Sequence, residues 1–142
     1  MLDIKLQFFI YLMQFVIIPY RTGGDDPMLG FDCSGAVIEW NSYHGIQPPH
    51  DMTAQDLFFY YKNQGGEIGK IDMGSLAFFG SKDHISHVAM FINDKQIIEA
   101  RGGDSTTVTL DDAIKRNAFI TVRPYTHRKD LVSIIKPKGL PW

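Results

Sequence analysis

One cysteine lies in a setting that could make its thiol reactive. Cys33 is the only cysteine in the 142 residues, and it stands in the run Phe-Asp-Cys-Ser-Gly, after a glycine-rich loop. Asp32 is a typical N-cap residue, so the pattern predicts a helix that begins at the cysteine. A thiol in the first turn of a helix feels the positive end of the helix dipole, which favours the nucleophilic thiolate. Free N–H groups of the same turn could bind a developing oxyanion, and Gly35 leaves room for a substrate. The competing interpretation is a buried, inert cysteine.

A thiolate nucleophile needs a proton carrier, and the chain contains five histidines. His87 begins a predicted strand, and a base on a strand is held more precisely than a base on a loop. The other four lie in predicted loops or near the end of the chain: His44, His50, His84 and His127. An ordinary surface or hydrogen-bonded histidine is the alternative for His87. We predict that Cys33 and His87 form a nucleophile–base pair.

Glu99, on the next predicted strand, is the candidate for a third group that orients the imidazole. A loop of three residues, 93–95, would pair Ile92 with Gln96 and put Glu99 on the face of His87, diagonally offset. A loop of two residues would turn Glu99 to the opposite face. The neighbouring apolar residues fit either register, so a solvent-facing glutamate stays open as the alternative.

A zinc site is the rival use of these side chains. His84 and His87 are three residues apart and could bind zinc together with Cys33. No second cysteine cluster and no HExxH-like motif accompanies them. We therefore expect neither a metal nor an organic cofactor.

The elements that must position these residues change character along the chain. The first half predicts helices at residues 3–17, 33–43 and 54–64. The second half contains short segments rich in β-branched or aromatic residues, at 75–79, 87–92, 96–100, 106–109 and 119–123, with a short helix capped by Thr109. Helices followed by strands indicate an α+β domain in which the Cys33 helix packs across a small antiparallel sheet.

Charge and composition narrow the functional classes. The formal net charge is −2, so no broad basic field is present for nucleic acid or an anionic membrane. A local cationic patch around Arg123, Arg128 and Lys129 stays open. The apolar segment 2–18 lacks a basic start and a small-residue cleavage site, so we predict a buried helix rather than a signal peptide. An uncleaved anchor or interfacial helix is the alternative, and membrane binding is not our expectation.

Several segments, in the same order, resemble the NlpC/P60 family of cysteine peptidases. Residues 19–24 followed by 30–35 are similar to the family's P-Y-x-x-G-G…G-x-D-C-S-G signature. Residues 73–79 are similar to its P-G-D-L-x-F-F strand, and residues 87–91 to its H-V-G-I-Y strand. The resemblance implies a papain-like α+β fold, with a central antiparallel sheet and the helix of the catalytic cysteine packed against it. It also implies one NlpC/P60-like catalytic domain over residues 1–142.

The resemblance assigns the catalytic roles by position. It implies that Cys33 is the nucleophile, that His87 is the base, and that Glu99 stands where the family has a third polar residue, often histidine. Two further departures are Thr22, where an aromatic residue is common, and Ser75 in place of the usual aspartate.

Three more residues match substrate-binding positions of the family. Tyr20 corresponds to a tyrosine near the oxyanion, with a packed loop aromatic as the simpler alternative. Asp32 and Ser34 match positions that in some members help to hold a free amino group of the substrate stem peptide. A helix cap and a helix-start hydroxyl are their simpler alternatives.

The activity implied by the resemblance is cleavage of peptide bonds in peptidoglycan stem peptides through a thioester. The bond implied is γ-D-glutamyl to a diamino acid. An amidase or acyltransferase with the same pair, and a non-catalytic phage tail or assembly module, are the alternatives. The expected partner is the stem peptide, without nucleic acid, and the sequence indicates no oligomeric state. Because no signal peptide is seen, we expect a cytoplasmic protein, a phage-borne protein such as a lysis enzyme, or one delivered by a non-classical route.

Overall fold

The computed structural model describes residues 3–26 and 28–142. In this part of the chain the helices are α1 (Ile4–Met13), α2 (Cys33–Ser42), α3 (Ala54–Asn63) and α4 (Leu110–Arg116), with a 3₁₀ turn at Tyr125–His127. The strands are β1 (Asp25–Asp26), β2 (Gly30–Phe31), β3 (Glu67–Ile68), β4 (Leu76–Gly80), β5 (Ile85–Phe91), β6 (Gln96–Ala100), β7 (Ile120–Pro124) and β8 (Leu131–Lys136). The predicted α+β class is confirmed.

Six strands form one antiparallel sheet, in the order β3-β8-β4-β5-β6-β7, and β1 pairs with β2 in a separate ribbon. β8 was not among the predicted strands, and it pairs with β4 and β3. Between β5 and β6 the register pairs Met90 with Ile98, and the N–H of Ile92 donates to the carbonyl of Gln96 at 3.0 Å. Of the two loop lengths that the sequence allowed between β5 and β6, the structure therefore has the loop of three residues, 93–95.

Both faces of the central strands are buried. Helix α2 packs on β5 and β6, and α3 packs on β5, so the main core lies between the helices and one face of the sheet. A smaller cluster lies on the opposite face and consists of Ala77, Phe79, Ala89, Phe91 and Ile97. Because successive strand residues point to opposite faces, two buried faces explain why β4 and β5 are almost continuously apolar.

The apolar N-terminal segment forms a helix that ends earlier than predicted. Asp3 caps α1 by accepting the N–H groups of Lys5 and Leu6, and the helix stops at Met13 rather than at residue 17. Phe8 and Leu12 are buried on its inner face. Among the residues described, no helix combines the length and apolarity that crossing a bilayer requires.

The prediction of a strand at residues 106–109 was wrong, because this segment forms a turn. Asp104 accepts the N–H of Thr106 at 2.8 Å and the hydroxyl of the same residue at 2.6 Å, which closes a local turn. Side chains of this kind compete with a strand for the backbone groups, and here they outweigh the β propensity of the threonines. Thr109 then caps α4 as predicted, in a capping box with Asp112.

Candidate active site

Cys33 is the first residue of α2, and Asp32 is its N-cap, as predicted. Oδ1 of Asp32 accepts the N–H of Gly35 at 2.7 Å and the hydroxyl of Ser34 at 3.3 Å, while Oδ2 accepts the N–H of Gly23 at 3.0 Å. These bonds tie the glycine-rich loop to the first turn of the helix and so fix the position of the sulfur. Cys33 is partly exposed, so a substrate can reach it.

Gly35 serves the packing of the loop rather than the substrate. A Cβ at Gly35 would lie 2.1 Å from the carbonyl oxygen of Gly24, so no larger residue fits there. The expectation that Gly35 leaves room for a substrate was wrong, because the neighbouring backbone already occupies that space.

His87 and Glu99 come together because the β5–β6 loop has three residues, which is one of the two registers that the sequence left open. The His87 residue is 7% exposed and Glu99 is fully buried. His87 Nε2 lies 2.6 Å from Oε1 of Glu99. Burial opposes protonation of the ring, but the hydrogen bonding and charge of Cys33 and Glu99 outweigh it and raise the pKa of His87 to about 9. Since Nε2 faces Glu99, Nδ1 is the ring nitrogen left for the thiol.

Arg123 on β7 is a third charged residue beside His87 and Glu99, and it was not among the predicted site residues. Its Nε donates to Oε2 of Glu99 at 2.5 Å, and Nη2 donates to Oε1 at 3.4 Å. Burial raises the pKa of Glu99, but hydrogen bonds from His87 and Arg123 prevail and lower it to about 2. The β6–β7 register pairs Glu99 with Thr121, so Arg123 lies diagonally across from Glu99. An arginine within an otherwise uncharged strand was the available sequence signal, because a charge on a packed face needs a partner.

A cavity of about 460 Å³ opens beside the cysteine. Of the predicted site residues, Tyr20, Cys33 and His87 line it. Glu99, Asp32 and Ser34 do not belong to its described lining; Glu99 and Ser34 are buried, and Asp32 is engaged in capping. The cavity lining also contains Arg101, His127 and Arg128, none of which was among the predicted site residues.

Tyr20 is held over the glycine-rich turn that follows β6. A Cβ at Gly103 would lie 2.1 Å from Cδ1 of the Tyr20 ring, so only glycine permits this packing. The backbone N–H of Tyr20 donates to the carbonyl of Ala118 at 2.9 Å. Burial, followed by the charges of Cys33 and Asp32, raises the pKa of Tyr20 well above its usual range. Its hydroxyl therefore remains protonated and is a hydrogen-bond donor near the sulfur.

Residues 3–26 and 28–142 contain no ligand set for the zinc site that was considered as an alternative. No three cysteine, histidine, aspartate or glutamate side chains gather there as a group that could hold a metal ion. His84 is exposed in the turn before β5, where its backbone N–H bonds to the carbonyl of Ser81 at 3.2 Å.

Known proteins share this sequence pattern and fold. The model of the NlpC/P60 family matches residues 18–123. Murein DD-endopeptidase MepH of Escherichia coli K12 is 30% identical over 102 residues, which covers 69% of this chain and 37% of MepH. Probable endopeptidase YafL of the same organism is 30% identical over 95 residues, which covers 64% of this chain and 37% of YafL.

Solved structures show the same fold. An NlpC/P60 family protein from Bacillus cereus matches with a TM-score of 0.69 at 22% identity, over 98% of this chain and 41% of that one. The chain thus spans well under half the length of MepH and YafL, whereas the family model covers most of the chain itself. The chain belongs to the NlpC/P60 family.

Proposed function

We propose that this chain is a cysteine endopeptidase that hydrolyses peptide bonds of peptidoglycan, with Cys33 as the nucleophile and His87 as the base. One observation carries the proposal: a thiol at a helix start and an imidazole held by buried Glu99 line one open cavity. MepH is named a murein endopeptidase and YafL a probable endopeptidase, which supports this substrate class.

The reaction proceeds through a thioester. The thiolate of Cys33 attacks the scissile carbonyl carbon, and the π electrons of the C=O bond move to the oxygen. When the tetrahedral intermediate collapses, the C–N bond breaks and protonated His87 gives its proton to the leaving amine. Neutral His87 then takes a proton from water, which attacks the thioester and releases the acid product and the Cys33 thiolate.

Two kinds of donor stabilise the oxyanion. The first kind is the N–H groups in the first turn of α2, where Cys33 stands, except that of Gly35, which Asp32 already uses. The protonated hydroxyl of Tyr20, on the same cavity wall, is the second donor.

Glu99 and Arg123 prepare His87 for its two roles. The carboxylate of Glu99 keeps the proton on Nε2, which orients Nδ1 toward Cys33, and it stabilises the imidazolium. Arg123 acts as a positioning residue: it balances the buried carboxylate and fixes its orientation through two hydrogen bonds. Glu99 therefore stays ionised while His87 gains and loses its proton.

Two bonds are candidates for cleavage. The family resemblance implies the γ-D-glutamyl bond to a diamino acid. The name DD-endopeptidase carried by MepH favours a D,D cross-link as the second candidate.

Mass spectrometry of defined stem peptides and cross-linked dimers identifies the bond. Cys33→Ala should reduce cleavage on the order of 10⁶-fold, because nothing replaces the nucleophile. Product that appears only with an added amine or alcohol acceptor would indicate the acyltransferase alternative instead. Wild-type protein that leaves both peptide sets intact would refute the proposal.

A further inference from the structure

The cavity beside the cysteine has a cationic wall. Its lining contains Arg101, Arg123, Arg128 and His127 and, within the described residues, no aspartate or glutamate. A wall of this kind attracts an anionic group, and it does so next to the reacting sulfur.

Two of these arginines already have partners. Arg123 is paired with buried Glu99. Arg128 donates from Nε and Nη2 to the two carboxylate oxygens of Asp130, at 2.8 and 2.6 Å, and its guanidinium lies 5.0 Å from the centre of the Phe79 ring. Their charges are therefore balanced within the protein.

Arg101 differs from both. It is half-buried, and within residues 3–26 and 28–142 its side chain has neither an ion pair nor a hydrogen bond. Its backbone is held in place, because the next residue, Gly102, has φ +84° and lies against Asn117 and Ala118, and Gly103 lies against the ring of Tyr20. A half-buried guanidinium without a partner has lost water without gaining a protein anion.

We propose that Arg101 binds a free carboxylate of the substrate, on a residue that adjoins the scissile amide. The inference rests on the proposed function and adds a substrate class to it. A planar carboxylate matches the guanidinium fork with two charge-assisted hydrogen bonds. Both candidate bonds offer such a group: the α-carboxylate of the γ-D-glutamyl residue, and the carboxylate beside the amine of the cross-linked diamino acid.

Direct binding tests the inference. The probes are two pairs of short peptides, one for each candidate bond, and the members of a pair differ only in a free carboxylate or a primary amide. Binding is measured by calorimetry with Cys33→Ala, which cannot turn the peptides over, and with the double variants that add Arg101→Gln or Arg101→Lys. The matched control adds Lys82→Gln, which removes one positive charge from an exposed loop outside the cavity.

The acid peptide of at least one pair should bind about 10- to 100-fold more tightly than its amide. Arg101→Gln should abolish the difference, Arg101→Lys should retain part of it, and Lys82→Gln should leave it unchanged. Equal affinity for acid and amide in both pairs, including failure to bind either, overturns the inference. A loss of affinity in Arg101→Gln that is equal for the acid and the amide peptide also overturns the inference.

Cleavage by the wild-type protein separates this inference from the proposed function. If acid and amide are cleaved with equal kcat/KM, the peptidase stands and the carboxylate subsite is refuted. If neither is cleaved but Cys33→Ala still distinguishes acid from amide through Arg101, the subsite stands and the peptidase is refuted.

Discussion

Replacing Glu99 with glutamine tests the charge arrangement behind His87. The substitution keeps the shape of the side chain but removes the carboxylate that lies 2.6 Å from Nε2. A hydrogen bond to a charged group contributes about 1.5–3 kcal/mol, and one pKa unit corresponds to about 1.36 kcal/mol. The pKa of His87, raised to about 9 in the native protein, should therefore fall by about one to two units in Glu99→Gln.

The sign of the effect on activity follows from the role of the imidazolium. In the proposed mechanism His87 must be protonated to give a proton to the leaving amine, so a lower pKa of His87 moves the alkaline limb of the kcat/KM profile to lower pH. The shift should equal the change that NMR titration of the labelled His87 ring reports. Glu67→Gln is the matched control, because Glu67 is exposed on β3, at the opposite edge of the sheet from β7.

Stability should change with the same pH dependence. Because folding raises the pKa of His87, its stabilisation is complete below the ordinary value of 6.5 and is lost as pH rises through about 9. The difference in Tm between wild type and Glu99→Gln should therefore shrink over that range. It should not vanish, since the variant also leaves Arg123 without its carboxylate. Folded Glu99→Gln with an unchanged His87 titration and an unchanged alkaline limb would refute the reasoning.

Two further substitutions test the groups around the pair. Arg123→Gln should lower kcat about tenfold, because Glu99 loses its fixed orientation. It should not move the alkaline limb to lower pH as Glu99→Gln does, since it removes a cation that competes with the His87 imidazolium for the carboxylate of Glu99. Arg123→Lys should restore part of kcat, and a downward shift of the limb in Arg123→Gln would contradict this role. Tyr20→Phe should lower kcat about 100-fold through loss of an oxyanion donor, while Tyr125→Phe, outside the cavity, should not. Equal kcat for wild type and Tyr20→Phe would exclude the hydroxyl from catalysis.

Where local patterns decide the structure, the sequence predicted it. Asp32 caps α2 and Thr109 caps α4, because capping depends on residues only a few positions apart. Local patterns also gave one wrong prediction, at residues 106–109: the β-branched residues suggested a strand, but the Asp104 carboxylate closes a turn. The register of Glu99 was left between two choices, because neighbouring isoleucines fit either face of the strand.

The sequence by itself predicted a cysteine at the start of a helix, a histidine on a strand and the α+β class, since each rests on one residue type in one local pattern. Only the tertiary structure decided that Glu99 faces His87, that Arg123 pairs with Glu99, and that Arg101 lies on the cavity wall without a side-chain partner among the residues described. Glu99 and Arg123 are 24 residues apart. Their contact depends on how β6 and β7 align, and that alignment is set by long-range pairing that no short stretch of sequence specifies.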